Sequence, residues 1–446
     1  MARIDLPKDL VSNLGSTEGL AVTATHEPGG SSRVFAPVYQ HVAPTLPADY
    51  VIPADRPKIA LHEIDLYVTM RCNIRCEFCN VRAGEYNHRD IPLERILLLL
   101  DEAAPMGLQE IHFLGGEPTL RKDLEQMIAH AVGLGLHTRI ISNGMLLPES
   151  RLDSLLDAGL HEIMISVDGL EATHNRLRKA EPDGFRETMA TVEMTIAKGL
   201  RTRVSTVAYV DNRDEIVPLM ELVEGMGADI FSVFLGSPLG RGHTMLDRVV
   251  DPYSWRKIQD EVTAVADSMR PDFSVVMEQG FSWTDAPAVD RSALKGRGTG
   301  CNTLLEELDY LIVRSDGNLY QCVFFMTEGE PIGNILDQPL EPTLHHALDL
   351  ATYRPFTVAN ERCGSCLHQE PCGTGCRGYA YLYEEDWLHT DPRCAKTDPL
   401  DATDPPYFPL CPIMKLNVRT GLQGGSTEQA LASAAGSNLM DRATLT

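Results

Sequence analysis

Three closely spaced cysteines are the residues of this chain that are best suited to do chemistry. Cys72, Cys76 and Cys79 form a Cys-x3-Cys-x2-Cys triplet directly after the apolar run at residues 64–68. Cysteine thiolates are the usual ligands of iron–sulfur clusters, so one loop with three of them can hold three irons of a [4Fe–4S] cube. The fourth iron is then open to a small molecule, to which it can pass an electron. The alternative is structural zinc, which normally takes four ligands in two pairs and fits a single triplet poorly.

A glycine-rich turn follows the next apolar run, at residues 111–114. It consists of Gly115, Gly116, Glu117 and Pro118. The two glycines let the backbone approach a ligand closely, and the proline ends the strand. Phe78, just before the last cysteine of the triplet, adds an aromatic face for an adenine. The turn and the triplet together resemble the radical S-adenosylmethionine (SAM) superfamily. The resemblance implies that the open iron binds the amino and carboxylate groups of SAM and that the turn holds its methionine amino group.

Short apolar strands alternate with amphipathic helices from residue 61 to about residue 270. The predicted strands lie at 64–68, 111–114, 138–142, 162–167, 203–209 and 230–235. The predicted helices lie near 93–104, 122–132, 148–158, 185–198, 214–226 and 253–268. This alternation predicts an α/β fold with parallel strands and crossover helices. Six such units fit a partial, TIM-like (β/α)6 barrel, the core of the resembled superfamily, with its chemistry at the carboxyl ends of the strands.

Polar side chains follow several of these strands. The resemblance implies that they contact the ribose, adenine or carboxylate of SAM, and the set is Ser142, Asn143, Ser166, Asp168, Arg178 and Asn212. Each of them taken singly could instead cap a helix or support a turn. The predicted catalytic residues are Glu117, Asp168 and Arg241, of which Arg241 resembles a residue near the substrate end in relatives. His174, Glu278 and Asp309 are further candidates for a general base, although buried or exposed acids of this kind more often have structural roles.

A second array of cysteines occupies the C-terminal part of the chain. Its members are Cys301, Cys322, Cys363, Cys366, Cys372, Cys376 and Cys394. Seven cysteines exceed the ligands of one zinc ion or one cluster, although their spacing does not identify the metal. The array resembles the SPASM extension of radical SAM enzymes over residues 301–395, which implies two auxiliary iron–sulfur clusters. Residues 308–320 predict a β-hairpin that leads into Cys322.

The resemblance also divides these cysteines between the two clusters. The distal cluster would take Cys363, Cys366, Cys372 and Cys394, and the inner cluster would take Cys301, Cys322 and Cys376. Fully ligated relatives have one more cysteine, which is missing here between residues 302 and 321. The inner cluster therefore keeps an open iron, or takes Cys411 or an oxygen ligand. Cys411 can equally be an ordinary buried thiol.

Length and composition predict a soluble protein with two domains, or with one domain that carries large additions. The chain has 446 residues, of which 43% are hydrophobic and 23% charged, and no apolar run reaches the ~20 residues that cross a membrane. Its first residues do not form a secretory signal, so we expect a cytoplasmic protein whose eleven cysteines bind metal rather than form disulfides. A net charge of −24 argues against nucleic acid as a partner. The predicted domains are an N-terminal extension (1–60), the barrel (61–270), a connector (271–300), the SPASM domain (301–395) and a partly disordered tail (396–446).

The resemblance implies a radical SAM enzyme of the oxidoreductase or lyase type. Such an enzyme cleaves SAM reductively to a 5′-deoxyadenosyl radical, which removes hydrogen from a substrate C–H bond. A flavodoxin or ferredoxin would supply the electron, and the product would be an oxidised, dehydrated or otherwise modified compound of natural-product metabolism. The acidic charge favours a small cationic amino sugar or aminocyclitol as substrate. The alternatives are a maturase of a ribosomally made peptide or protein, and a non-catalytic iron–sulfur electron carrier or redox sensor.

Overall fold

The computed structural model describes most of the chain from residue 43 onward. The described residues are 43–86, 89–180, 182–278, 281–283, 307–350, 372, 375–384, 386, 389–394, 407–409 and 415–419. Within them the strands form one eleven-stranded sheet and one two-stranded sheet. None of the described helices is long and apolar enough to cross a membrane.

The strands that the sequence predicted form the middle of the large sheet. They are β1 (Ala60–Thr69), β2 (Glu110–Gly115), β3 (His137–Ser142), β4 (Glu162–Ser166), β5 (Arg201–Ala208) and β6 (Ile230–Leu235). Each strand pairs in parallel with the next one along the chain. The predicted bounds are correct for β6, whereas β1 begins at Ala60 instead of residue 64. The α/β fold with a parallel sheet is thus confirmed.

Helices connect these strands. They are α1 (Leu93–Ala103), α2 (Leu124–Gly133), α3 (Glu149–Asp157), α4 (Glu171–Arg178), α5 (Gly184–Ala197), α6 (Ile216–Met226) and α7 (Pro252–Ala266). In α1 the buried residues Ile96, Leu99, Leu100 and Ala103 recur at helical spacing, which is the pattern that predicted it. The sequence did not predict α4, because its buried residues are mostly polar and give no apolar periodicity.

The two faces of the sheet differ in chemistry. Ile111 and Phe113 of β2 belong to the main apolar core and are fully buried. Glu110 and His112 alternate with them along the strand and are also buried. Since successive side chains of a strand point to opposite faces, one face packs against an apolar core and the other carries buried charges.

Further strands extend the sheet at both ends. Beside β6 lies the parallel strand β7 (Ser274–Glu278), and beside β1 lies the parallel strand β9 (Glu307–Val313). Antiparallel strands continue outward from these two, and they are β10 (Asn318–Tyr320) and β11 (Gly333–Asn334) after β9, and β13 (Lys415–Arg419) after β7. No pairing between described strands closes the sheet, so it forms a partial barrel.

The predicted hairpin at residues 308–320 is present as β9 and β10. Its turn needs glycine at Gly317, where φ is +84°. The sequence did not predict that the hairpin continues the barrel sheet through β1. Two further strands, β8 (Phe281–Trp283) and β12 (Tyr407–Pro409), pair separately. The remaining α-helices among the described residues are α8 (Val323–Glu328), α9 (Leu340–Ala347) and α10 (Arg377–Glu384).

Candidate active site

A cavity of about 440 Å³ lies at the carboxyl ends of the parallel strands. Its wall contains the cysteine triplet, both glycines of the turn after β2, and residues from the ends of later strands. Among the predicted site residues in this wall are Cys72, Cys76, Phe78, Cys79, Gly115, Gly116, Ser142, Asn143, Ser166, Arg178 and Arg241. The structure therefore brings most of the predicted cofactor-binding residues to one place, as expected for a parallel barrel.

The cysteine loop that follows β1 is held by main-chain hydrogen bonds. The amide of Cys79 donates to the carbonyl of Cys76 at 3.4 Å, and that of Glu77 donates to the carbonyl of Leu177 at the end of α4, at 2.9 Å. The amide of Ala83 lies 3.4 Å from Cys79 Sγ and can donate to it. The loop is thus shaped by its own backbone and by α4.

The three thiols fit a cluster better than a single ion. All three residues are described, and their ligand atoms do not come together within 4.8 Å of one another. Sulfurs at ~2.3 Å from one zinc ion would be closer than that to each other. A cube in which each sulfur binds a different iron separates them further. Burial raises the pKa of Cys72, and it raises that of Cys76 to about 12, so metal binding there displaces protons.

The glycine-rich turn packs directly against the strand end that leads into the cysteine loop. A Cβ atom at Gly115 would lie 2.1 Å from the carbonyl oxygen of Thr69, and one at Gly116 would lie 2.1 Å from that of Arg71. Gly115 also has a φ of +150°. The amide of Gly116 donates to Thr69 at 2.8 Å. Close backbone approach thus requires both glycines, whether or not a ligand is bound.

The carboxylate of Glu117 lies away from the cavity wall. It accepts hydrogen bonds from Ser142 Oγ and the Asn143 amide, each at 2.9 Å, and from the hydroxyl of Thr119 at 2.7 Å. The side chain is fully buried, and burial raises its pKa. These contacts tie the end of β2 to the end of β3. They give no support to the proton-transfer role that the sequence predicted for Glu117.

Asp168 positions another side chain instead of reaching the cavity itself. Its Oδ2 accepts from Arg178 Nε at 2.6 Å, and its Oδ1 accepts from the amide of Val207 at 2.7 Å. Arg178 lies in the cavity wall with its guanidinium 5.6 Å from the ring centre of Phe78. Nearby His174 is buried, and burial together with Arg178 lowers its pKa to about 3. Neither Asp168 nor His174 is in the wall that the described residues form.

Asn212 supports a turn. Its Oδ1 accepts from the amide of Tyr209 at 2.8 Å, and its Nδ2 donates to the carbonyl of Val207 at 2.9 Å. Both amide atoms are therefore used at the end of β5, and Asn212 lies outside the described cavity wall. Asn143, in contrast, lines the cavity, and its Nδ2 donates to Asn73 of the cysteine loop at 2.8 Å.

Comparisons with known proteins agree with this geometry. The sequence profile of the Radical SAM superfamily matches residues 66–223, which include the triplet, the glycine turn and Arg178.

Residues 66–223 form a radical SAM domain.

Two relatives and one solved structure illustrate the similarity. An AdoMet-dependent heme synthase of Methanosarcina barkeri is 26% identical over 343 residues, which are 73% of this chain and 94% of that protein. A PqqA peptide cyclase of Granulibacter bethesdensis is 26% identical over 330 residues, 74% of this chain and 85% of that protein. SuiB of Streptococcus suis, solved with bound S-adenosylmethionine, superimposes with a TM-score of 0.63 at 20% identity, over 76% of this chain and 78% of SuiB. The last similarity shows the fold.

The radical SAM domain makes this protein an enzyme and implies a [4Fe–4S] cluster and SAM as its cofactors. This finding excludes the non-catalytic electron carrier, which the sequence had left open as an alternative. Cys72, Cys76 and Cys79 are the described residues whose chemistry and position fit the cluster.

Two cysteines of the C-terminal array share the cavity of the radical SAM site. Cys322, between β10 and α8, and Cys376, before α10, both lie in its wall. The amide of Cys376 donates to Asp391 Oδ2 at 2.7 Å, and that of Cys394 donates to the carbonyl of Asp391 at 3.0 Å. The sequence did not single out Asp391. Of the other predicted ligands, Cys372 is described, whereas Cys301, Cys363, Cys366 and also Cys411 lie outside the described residues.

Carboxylates also line the cavity. Glu63 and Asp65 of β1 and Glu278 of β7 are in its wall. His112 Nδ1 lies 3.1 Å from Glu63 and 2.9 Å from Asp65. Burial alone would lower the pKa of His112, but the surrounding carboxylates raise it to about 10. The sequence prediction missed Glu63 and Asp65, although Asp65 lies in the predicted strand at 64–68 and Glu63 directly precedes it.

Arg241 contacts the cysteine loop. Its Nε donates to the carbonyl of Cys76 at 2.8 Å, and its Nη1 donates to the carbonyl of Ala83 at 3.0 Å. The same Nη1 lies 2.9 Å from Glu85 Oε1. The side chain is also part of the cavity wall. These contacts assign to Arg241 a role in holding the loop, whereas its predicted catalytic role stays a prediction.

Proposed function

We propose that this radical SAM enzyme is a maturase that modifies a ribosomally made peptide or protein in natural-product biosynthesis. The observation that carries the proposal is the shared cavity, whose wall contains the cysteine triplet as well as Cys322 and Cys376. Two known proteins support the peptide as substrate. One relative is a PqqA peptide cyclase, and SuiB, which has the same fold, has been solved with the precursor peptide SuiA. These proteins favour a peptide substrate over the amino sugar that the sequence alone favoured.

In this proposal each part of the cavity wall has a distinct task. Cys72, Cys76 and Cys79 hold the cluster, and with bound SAM the cluster supplies the carbon radical that starts the reaction. The Arg178 guanidinium, fixed by Asp168, binds the carboxylate of SAM. Phe78 and Tyr209, whose ring centres are 5.6 Å apart, give the adenine an apolar surface.

The C-terminal cysteines have a related task. Cys322 and Cys376, together with Cys301, hold the inner auxiliary cluster, and Cys372 and Cys394, together with Cys363 and Cys366, hold the distal one. The apolar cluster around Cys376 and Cys322 contains Leu239, Phe324, Tyr379 and Leu382. It shields the inner site from water. Because this site lies in the cavity wall, the inner cluster is placed to accept an electron from the substrate.

A small cationic amino compound is a second candidate substrate. The observation in its favour is the position of Glu63, Asp65 and Glu278 in the cavity wall, because carboxylates in a partly closed cavity favour a positive charge on the ligand. A peptide with a lysine or arginine near the reacting carbon satisfies the same carboxylates. The carboxylates of the wall are therefore compatible with a peptide as well as with a small amino compound.

The test is anaerobic turnover of the reconstituted protein with a chemical reductant and SAM. We expect 5′-deoxyadenosine from the protein and SAM, faster release with a precursor peptide encoded next to the gene, and a changed peptide mass. With deuterium at the reacting carbon of the peptide, label should enter 5′-deoxyadenosine. Acceleration by an amino sugar or a heme precursor, but by no peptide, would overturn the maturase proposal.

A further inference from the structure

The segment after β6 lies across the cysteine loop with very close backbone contacts. Gly240 has a φ of +55°, and a Cβ atom there would lie 2.3 Å from the carbonyl oxygen of Asn80. Next to it, the amide of Arg241 donates to the carbonyl of Cys79 at 3.0 Å. No side chain could be added at Gly240 without displacing the loop. The segment is therefore fitted to one conformation of the loop.

The side chain of Arg241 extends this contact to the other end of the loop. It bonds the carbonyls of Cys76 and Ala83, which lie before and after Cys79. The planar guanidinium presents its N–H groups in a fixed fork, so one side chain can hold two carbonyls at once. Only 18% of this side chain is exposed. Water thus competes weakly for these hydrogen bonds.

The charge next to the loop is not fully cancelled. Arg241 pairs with Glu85, but Glu85 also accepts from Arg82 Nε at 2.8 Å. One carboxylate thus serves two guanidinium groups. Another cation near the loop, Arg178, stands over the ring of Phe78 and has Asp168 as a buried partner of its own. A positive charge in a poorly hydrated place stabilises added negative charge nearby.

We propose that Arg241 is a positioning residue that holds the three-cysteine loop and that its charge raises the reduction potential of the cluster bound there. The inference rests on the proposed assignment of Cys72, Cys76 and Cys79 as cluster ligands. It requires no contact between Arg241 and the substrate. Glu85 reduces this rise in the reduction potential, because its negative charge offsets part of the positive charge of Arg241.

The experiment is an anaerobic redox titration of the full chain, followed by electron paramagnetic resonance. The signal that changes when SAM is added identifies the cluster at the triplet. We expect Arg241→Gln to move its midpoint potential to a more negative value and Glu85→Gln to move it to a more positive value. Arg241→Lys, which keeps the charge, should remain near the wild type in potential but lose iron faster to a chelator, because lysine cannot hold both carbonyls.

The two variants of opposite sign separate charge from folding. A merely structural role would shift both potentials in the same direction or leave them unchanged, and either result overturns the inference. If Arg241→Gln fails to retain iron, Glu85→Gln still tests the proposal. An unchanged midpoint potential in that variant would contradict it. A wild-type signal that does not respond to SAM would instead overturn the cluster assignment itself.

Discussion

Two polar regions of the barrel sheet differ in the groups that their charged side chains contact. The deeper region, here called the charge layer, consists of Glu110, His112, Arg139, Glu162 and Arg203. Most of its members pair with one another, and His112 also contacts Glu63 and Asp65. Glu162 Oε1 accepts from both Arg139 Nε and Arg203 Nε at 2.7 Å. At the strand ends, in contrast, Glu117 binds main-chain and hydroxyl donors, and Arg241 binds carbonyls of the cysteine loop.

The strand register explains the charge layer. His112 is the partner of Arg139, and Arg139 is the partner of Glu162 on the next strand. One row of charged side chains therefore crosses three strands, and the ion pair of Arg139 with Glu162 ties β3 to β4. The row does not reach the cysteine loop. The comparison teaches that the charge layer maintains the barrel, whereas the strand-end residues shape the place for the cofactor, and each assignment can be tested separately.

The largest effect should come from the strand-end region. We expect Cys72→Ala, Cys76→Ala or Cys79→Ala to abolish SAM cleavage, because three thiolates are needed to leave one iron open. Iron bound by the C-terminal cysteines should remain. Iron content and 5′-deoxyadenosine formation measure the two properties.

The matched control is Cys322→Ala, a cysteine in the same cavity wall. It should lose auxiliary iron but still cleave SAM. Retained cleavage in any one of the three triplet variants would show that the cofactor lies elsewhere.

The next effect should come from the charge layer. Glu162→Gln leaves Arg139 and Arg203 buried without their shared counter-charge, and we expect the free energy of unfolding to fall by about 3–5 kcal/mol. These two arginines hold the pKa of Glu162 well below its usual range despite its burial. Chemical denaturation followed by circular dichroism is the measurement.

Glu193→Gln on the exposed side of α5 is the control, and it should change the stability by less than about 0.5 kcal/mol. The folded fraction of Glu162→Gln should still bind iron at the triplet. If Glu162→Gln kept full stability but lost this iron, the roles assigned to the two regions would be the wrong way round.

A smaller effect should follow from Arg178→Lys. Lysine keeps the charge but cannot reproduce the forked hydrogen bonds of arginine, so we expect the affinity for SAM to fall about tenfold, the equivalent of one charge-assisted hydrogen bond. Equilibrium binding of SAM to the reconstituted protein measures this. Arg176→Lys, in the same helix but 46% exposed and paired with Asp211, should bind SAM normally. Equal loss in both variants would indicate damage to α4 rather than loss of a SAM contact.

The smallest effect is a dependence of stability on pH. Burial, assisted by neighbouring Arg139 and His161, lowers the pKa of His137 from 6.5 to about 4. The unfolded chain therefore takes up this proton first as the pH falls below about 6.5, and the native state loses stability between that pH and about 4. His137→Gln should show a smaller drop in unfolding free energy between pH 7.5 and pH 5. An unchanged drop would mean that His137 is protonated in the folded barrel.

The sequence predicted the barrel well because its information is local. Apolar runs and helical periodicity identify β1 to β6 and most of the helices directly. The polar helix α4 gives no such signal, although it carries Arg178. The roles of Asp168, Asn212 and Glu117 were predicted from motif positions, and the structure uses these side chains to fix neighbouring groups.

Contacts between distant parts of the chain were beyond prediction. Arg241 is more than 150 positions from the loop that it holds, at Cys76 and Ala83. The charge layer likewise depends on strand register, which places Glu110 and Arg139 in neighbouring strands. Residue types indicate which groups can pair, but only the folded sheet brings the partners together.

The place of β9 in the sheet has a consequence for how such enzymes can be altered. β9 covers the free edge of β1 from Ala60 to Leu66, and its hairpin ends at Cys322. The C-terminal part therefore cannot be exchanged independently of the barrel, either in evolution or by protein engineering. A chain cut before residue 307 would present the bare edge of β1 to other molecules, and exposed strand edges promote aggregation. Any transplanted extension must bring its own matching strand.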